Sequence, residues 1–445
     1  MQTSIYKQFW KYTIPTVAAM LVNGLYQVVD GIFIGRYVGA DGLAGINVAW
    51  PMIGSILGLG MLVGVGTGAL VSIQQGKQDN QGAKQILATG LLLLIALVPV
   101  VSALLFLFAD DFLRWQGAEG RVFELGLQYL HILIGASVFT LGSIAMPFLL
   151  RNDESPNIAT FLMVVGAVVN IVLDYLLIAL WGWELTGAAL ATAIAQGVVS
   201  LLGFAYFFSS HAKLRLQWKD LRLKLATIPN IFAIGASSFF MYAYGSMMVA
   251  LHNALFSQYG DQLMIGAYAI LGYIVTVYYL TAEGIANGMQ PLVSYNHGAR
   301  NQQNIRKLLK VAMYSSVLVG VVFVVLLNLF PTQFVSVFNK EDAQLVEYTV
   351  LGIRLHMFAL ALDGFLVVAG AYYQAINKGS KAMFVTVGNM LIQLPFLYIM
   401  PKLFGVPGIW IAYPLSNIAL SVVVMTMLWK DVKRFQVTPG EQATA

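Results

Sequence analysis

Apolar stretches of about 20 residues or more, enough to cross a bilayer as a helix, alternate along the chain with short polar breaks. They run over 9–35, 45–73, 86–109, 123–150, 157–181, 187–208, 228–256, 264–295, 308–330, 345–373, 383–404 and 407–429. The pattern predicts an all-α polytopic membrane protein with twelve spans. A β-barrel would alternate apolar with polar positions over about 10 residues, whereas Leu91 to Val101 is apolar on every side. The first stretch has Lys7 just before it and Lys11 at its start but is too long for a signal-peptide core and has no clear cleavage site, so it reads as a retained span.

A repeat lies within this pattern. LVSIQQGKQDNQGAKQIL, from Leu70, aligns with LVSYNHGARNQQNIRKLL, from Leu292, at an offset of 222. The same offset pairs Leu107 and Phe108 with Leu329 and Phe330, Phe112 with Phe334, and Gly166 with Gly388; Tyr129-Leu130-His131 meets Arg354-Leu355-His356 three residues later. The best match falls in a polar loop, where chance similarity between apolar helices does not reach. Two six-span halves follow, and because six is even they are parallel repeats about an axis along the membrane normal. The expected division is an N-terminal lobe at 1–208, a linker at 209–227, and a C-terminal lobe with a short tail at 228–445.

Composition agrees with the bilayer. Of 445 residues 59% are hydrophobic and 10% charged, against about 25% charged in soluble domains. The net charge of +5 is dispersed rather than gathered into one patch, which excludes a nucleic-acid partner. Without cysteine there is no disulfide framework, thiolate metal site or thiol nucleophile. With the N-terminus inside, 19 basic residues fall in cytoplasmic segments, and only Arg36, Arg114, Arg121, Lys340 and Lys402 fall outside. The positive-inside rule therefore places both termini in the cytoplasm, and the expected location is the cell (inner) membrane. The linker, HAKLRLQWKDLRLKLATIPN, spaces Leu214, Trp218, Leu221 and Leu225 as on an amphipathic helix lying on anionic lipid. Leu214, Leu216 and Trp218 also alternate, so its conformation stays open.

Once the charges in loops and at span ends are set aside, Asp30, Asp174, Glu283, Arg354 and Asp363 remain inside the spans. A charge at mid-span costs about 2.5 to 3.5 kcal/mol, so each needs a partner, a proton or a wet cavity. Arg354 lies early in its span and can snorkel outward. Asp30 and Asp174 each lie roughly 10 Å below the outer ends of their helices at 1.5 Å per residue, and can share one pocket. Asn170 is one turn before Asp174 on the same face; Thr192 and Tyr129 fall at similar depth; Asn23 is two turns below Asp30. Two carboxylates, an amide and hydroxyls offer hard oxygen ligands for a small cation, Na⁺, or hold a proton instead. Asn23, Tyr129 and Thr192 taken singly also fit interhelical hydrogen bonding. Glu283 and Asp363 lie nearer the cytoplasmic half of the second repeat and divide between a second ion or substrate site and packing. Gly31 with Gly35, and Gly60, Gly64 and Gly68, are spaced for close helix contacts. His131 and His356 lack a ligand at i+4 and read as packing residues.

IPTVAAMLVNGLYQVVDGIFIGRYVGADGLAGINVAWP, from Ile14 to Pro51, resembles the start of a multidrug and toxic compound extrusion (MATE) transporter, and QAINKGSKAM, from Gln374, resembles the family's loop after span ten. The prokaryotic branch with an acidic residue in span one is the nearest pattern. The resemblance implies a bend-forming role for Pro15, ion coupling at Asp30, and a pocket walled by Tyr129, Asn170, Asp174 and Thr192. It further implies an antiporter working by alternating access, with no cofactor beyond its coupling ion. The acidic pocket and the aromatic rings of Tyr26, Phe33 and Tyr129 suit lipophilic organic cations, carried by a monomer among membrane lipids. The alternative is a lipid-linked oligosaccharide flippase or another exporter of the wider superfamily. Scattered histidines and absent cysteine argue against an enzyme.

Overall fold

The computed structural model describes residues 4–338 and 341–434; Lys340, expected on the outer side, and the tail from 435 lie outside the described residues. In chain order the helices are α1 (Ile5–Tyr37), α2 (Ala40–Gly76), α3 (Asn80–Trp115), α4 (Gly120–Gly135), α5 (Ser137–Asn152), α6 (Pro156–Asp174), α7 (Glu184–Phe208), α8 (Ile228–Tyr259), α9 (Gln262–Gly298), α10 (Gln302–Leu329), α11 (Pro331–Ser336), α12 (Ala343–His356), α13 (Leu360–Ala375), α14 (Gly379–Phe404) and α15 (Val406–Arg434). Among the described residues ten helices are long and apolar enough to cross a membrane, and two bent pairs bring the total to twelve.

Those pairs correct the two spans drawn as single helices. α4 and α5 meet at 64°, and α12 and α13 at 54°. Apolar periodicity does not register such a break because both arms remain apolar. The freed backbone at the first break is met from α3, where the Ser102 hydroxyl bonds the Ile134 carbonyl at 3.2 Å and Ser137 Oγ at 2.9 Å. A polar group reaching a broken helix from a neighbour is what makes non-helical backbone tolerable at membrane depth.

The helices also run past their apolar windows to matched stops. Gln78 and Arg300, equivalent in the repeat, both take positive φ, at 63° and 56°. Asp79 and Asn301 then cap the next helix, accepting from the backbone N–H of Gly82 at 2.8 Å and of Asn304 at 3.1 Å. A left-handed residue closing one helix and an Asx cap opening the next make a tight hairpin, and this is why the repeat is clearest in a loop.

α2 is the central helix; its most apolar window is 94% buried, against 17 to 50% in the other nine long helices. Gly60, Gly64 and Gly68 press against Leu141, Ala145 and Asn152 of α5, as their spacing predicts. The Gly31 and Gly35 pair divides: a Cβ at Gly35 would stand 3.3 Å from Leu43 of α2, whereas one at Gly31 would meet nothing within 4 Å. Peripheral helices instead expose large apolar side chains, such as Leu104, Leu107 and Phe108 on α3 and Leu318, Val322 and Val325 on α10. An apolar outer face of this extent belongs in lipid, not water.

The linker is not the amphipathic helix. Apart from two short 3₁₀ turns, Trp218–Asp220 and Leu225–Thr227, it is irregular. The alternating pattern prevails at its start: Leu214 and Leu216 are buried while Trp218 points out. Asp153 fixes this register by accepting from the backbone N–H of Lys213 and of Leu214, each at 2.9 Å, and the Leu216 N–H bonds the Phe207 carbonyl. Burial pushes the Asp153 carboxyl above its ordinary range, with those donors opposing the shift.

Candidate functional site

Asp30 lies on α1 and Asp174 ends α6, and these helices pack together. The two carboxyls interact side chain to side chain. Asp174 is followed by a π-helical turn, Tyr175–Leu180. Such turns are rare, and they re-aim the residues that flank them. Asn170, one turn earlier, is buried and its Nδ2 donates to Thr192 Oγ1 on α7 at 3.3 Å. Tyr129, from α4, lies beside Thr192 and in the field of both carboxyls, as does Tyr26 on α1. The structure thus brings Tyr26, Asp30, Tyr129, Asn170, Asp174 and Thr192 into one cluster. Asn23 is half-buried two turns away on α1, with no side-chain hydrogen bond among the described residues.

The donors within this pocket are few. Asp30 Oδ1, both carboxyl oxygens of Asp174 and Asn170 Oδ1 are buried and meet no protein donor. Four orphaned oxygens in one place would be costly without a guest. Two carboxylates in contact repel unless a proton or a cation lies between them. The oxygen-only donor set fits a proton or a hard cation such as Na⁺ and gives a soft metal nothing it prefers.

Pro15 sits near the start of α1, which continues unbroken through it. Its carbonyl accepts from Thr160 Oγ1 of α6 at 2.8 Å, tying the proline turn to the helix that carries Asp174.

Glu283 and Asp363 are not part of that pocket. They line a separate cavity of about 740 Å³ with Tyr244, His252, Tyr268 and His356, reached by Asn47 and Met61 of α2. Asp363 is held firmly: Tyr279 Oη donates to its Oδ2 at 2.6 Å, Asn417 Nδ2 donates to its Oδ1, and Tyr413 Oη lies 3.1 Å from Tyr279 Oη. The break between α12 and α13 places Asp363 in the first turn of α13, where the helix dipole favours a carboxylate. Glu283, on α9, has Tyr242 in its field.

This second chamber holds residues that sequence reading passed over. His252, on α8, stands exactly one repeat offset after Asp30. Its Nδ1 meets the Met248 carbonyl at 2.8 Å, leaving Nε2 buried without a partner. His356 Nδ1 meets the Trp410 carbonyl at 2.8 Å, and the two imidazole centroids are 5.7 Å apart. The repeat offset was the available signal, since it maps the one acidic residue of span one onto His252. His131, the counterpart of His356, instead lies exposed beside Phe106.

The chain is 26% identical to the multidrug export protein MepA of Staphylococcus aureus, over 97% of this chain and 95% of that protein, and 24% identical to MepA of Staphylococcus saprophyticus over the same shares. Its fold superposes with a TM-score of 0.92 on a MOP superfamily transporter from Pyrococcus furiosus, whose binding pocket is described as of reversed polarity, at 23% identity and covering 98% and 97% of the two chains. An outward-facing multidrug resistance MATE family transporter of the MOP superfamily gives 0.92 at 23% identity, covering 97% of each chain. The MatE family model matches residues 15–176 and 237–399, ranges that start one repeat offset apart, and the chain belongs to the MatE family.

Proposed function

We propose that this protein is a secondary active multidrug exporter that exchanges Na⁺ or H⁺ for lipophilic organic cations by alternating access. One observation carries the reading: two carboxyls from different spans lie together, and Asp30 Oδ1 and both Asp174 oxygens are buried without a protein donor. The ion enters at Asp30 and Asp174, with Asn170 and Thr192 as neutral oxygen ligands and Tyr129 against them. Pro15, which leaves α1 one backbone bond short, is the place where that helix bends when the pocket fills.

The drug occupies the larger cavity. Its volume lies within the usual range for small-molecule sites, and its aromatic lining with Glu283 and Asp363 suits a cation. No Lys or Arg lines it among the described residues, so it offers a pyrophosphate-bearing lipid no counter-charge and favours the exporter over the flippase. Exchange requires that ion and drug stabilise different states. Lobes at 1–208 and 228–445 rock about the linker at 209–227, in an inner membrane with both termini cytoplasmic, each monomer working alone without a resident cofactor.

The test is efflux of a fluorescent organic cation from proteoliposomes, driven separately by a Na⁺ gradient and by a pH gradient. One gradient should drive efflux in the wild type, and Asp30→Asn should abolish it while drug binding persists. Wild-type efflux by that variant would sink the assignment.

A further inference from the structure

Where the linker passes the start of α3 it encloses a second, smaller cleft, of about 500 Å³, lined by Lys84, Gln85, Lys219, Asp220, Arg222 and Lys224. Its walls are built, not incidental. The Lys224 backbone N–H donates to Thr89 Oγ1 at 3.0 Å and its ammonium reaches Gln85 Oε1 at 3.4 Å, which staples the linker to α3. The Asp220 carboxylate is already engaged, accepting from the Gln217 N–H at 2.8 Å. Among the described residues none of Lys84, Lys219, Arg222 and Lys224 makes an ion pair, whereas nearby Lys213 pairs with Glu154. Four cations therefore surround a cleft containing a single, occupied carboxylate.

Its level in the molecule says what kind of anion fits. Lys84 lies in the first turns of α3, just before the apolar run from Ile86 that enters the hydrocarbon. Beside the cleft three apolar side chains point outward: Trp218 at 75% exposure, Leu225 at 70% and Leu223 at 43%. Trp218 is held in that position by stacking on Phe208 at the end of α7, centroid to centroid 4.7 Å. An indole and two leucines are misplaced in water but belong at the boundary between headgroups and acyl chains. A free inorganic anion would use the cations and leave those three side chains without a role.

We infer that this cleft binds the phosphate headgroup of an anionic phospholipid, with Lys84, Lys219, Arg222 and Lys224 around the phosphate and Trp218, Leu223 and Leu225 along the acyl chains. Basic pockets at span ends take such lipids, each basic residue adding to the attraction. The site shares no lining residue with either candidate transport pocket and does not depend on how they are used.

The experiment uses the full chain in neutral detergent and counts bound lipid by native mass spectrometry. Phosphatidylglycerol, phosphatidylcholine and inorganic phosphate are titrated in parallel. Phosphatidylglycerol should bind the wild type, and the triple variant Lys219→Gln, Arg222→Gln, Lys224→Gln should bind it roughly a hundredfold more weakly. A control neutralising Lys7, Lys11 and Lys430, exposed and outside the cleft's lining, should leave binding unchanged. Bromine-labelled acyl chains should quench fluorescence in the wild type more than in Trp218→Phe. Equal losses in the triple variant and the control would mean diffuse attraction and overturn the site. So would phosphatidylcholine binding as tightly, or inorganic phosphate displacing the lipid at equal concentration.

Discussion

Gly76 at the end of α2 and Gly298 at the end of α9, equivalent in the repeat, meet backbone to backbone where the two halves of the chain close on the side bearing both termini. A Cβ on Gly76 would stand 1.9 Å from the Tyr295 carbonyl oxygen, and one on Gly298 would stand 1.9 Å from that of Ile73. Nearby, Asn152 Nδ2 donates to Gln290 Oε1 at 3.0 Å and Gln78 Nε2 donates to Tyr295 Oη at 3.3 Å, both across the same seam. Under the alternating access proposed above, a contact this close would lock one transport state.

Gly76→Val should hold this seam open. The clash is with backbone, so no rotamer relieves it. Labels on the two loops should move apart in distance measurements, and efflux should fall roughly tenfold or more, equivalent to at least about 1.4 kcal/mol against the closed state. Unchanged distances with wild-type efflux would show that the seam yields without cost.

Asn170→Leu should separate the two coupling ions. The change removes a neutral oxygen from the Asp30 pocket and frees Thr192 of its partner, at a cost of about 1 to 3 kcal/mol for the groups left unpaired. If Na⁺ is the coupling ion, its half-saturating concentration should rise roughly tenfold or more, read from the Na⁺ dependence of efflux. If a proton is, efflux driven by pH should survive with little change.

Arg151 tests what an unpaired buried charge contributes. It is 1% exposed, its Nε and Nη1 have no partner among the described residues, its Nη2 lies 3.6 Å from Met163 sulfur, and the guanidinium sits over Phe148 at 5.2 Å. Arg151→Met keeps the length and apolar contacts while removing the charge, so thermal stability should hold or rise by about 1 kcal/mol or more. Arg151→Ala should lower it by about 2 to 5 kcal/mol through the cavity left behind. A methionine variant as unstable as the alanine variant would mean the guanidinium has a partner in another state.

Much of this was legible in the chain. Asp30 and Asp174 could be paired because each is a costly exception in an apolar run, and helix rise converts sequence distance into depth. The repeat was legible in LVSIQQGKQDN and LVSYNHGARN because that hairpin needs a left-handed residue followed by an Asx cap, a demand that restricts side chains more tightly than apolar packing does. The two broken spans were not legible, since both arms of each are apolar and the first break is compensated by Ser102 from another helix. Nor was the linker's path, where helical and alternating spacings overlap and the choice rests with Asp153.

The sequence by itself determined the class and the number of spans and singled out the buried acids, because the cost of burying charge in lipid acts residue by residue and is written in linear order. Only the tertiary structure decided which acids share a site. It brought Asp30 to Asp174, set Asp363 among Tyr279 and Asn417, and placed His252 beside His356, because the angle and register at which helices pack depend on close contacts, such as the glycines of α2 against α5, between residues far apart in the chain.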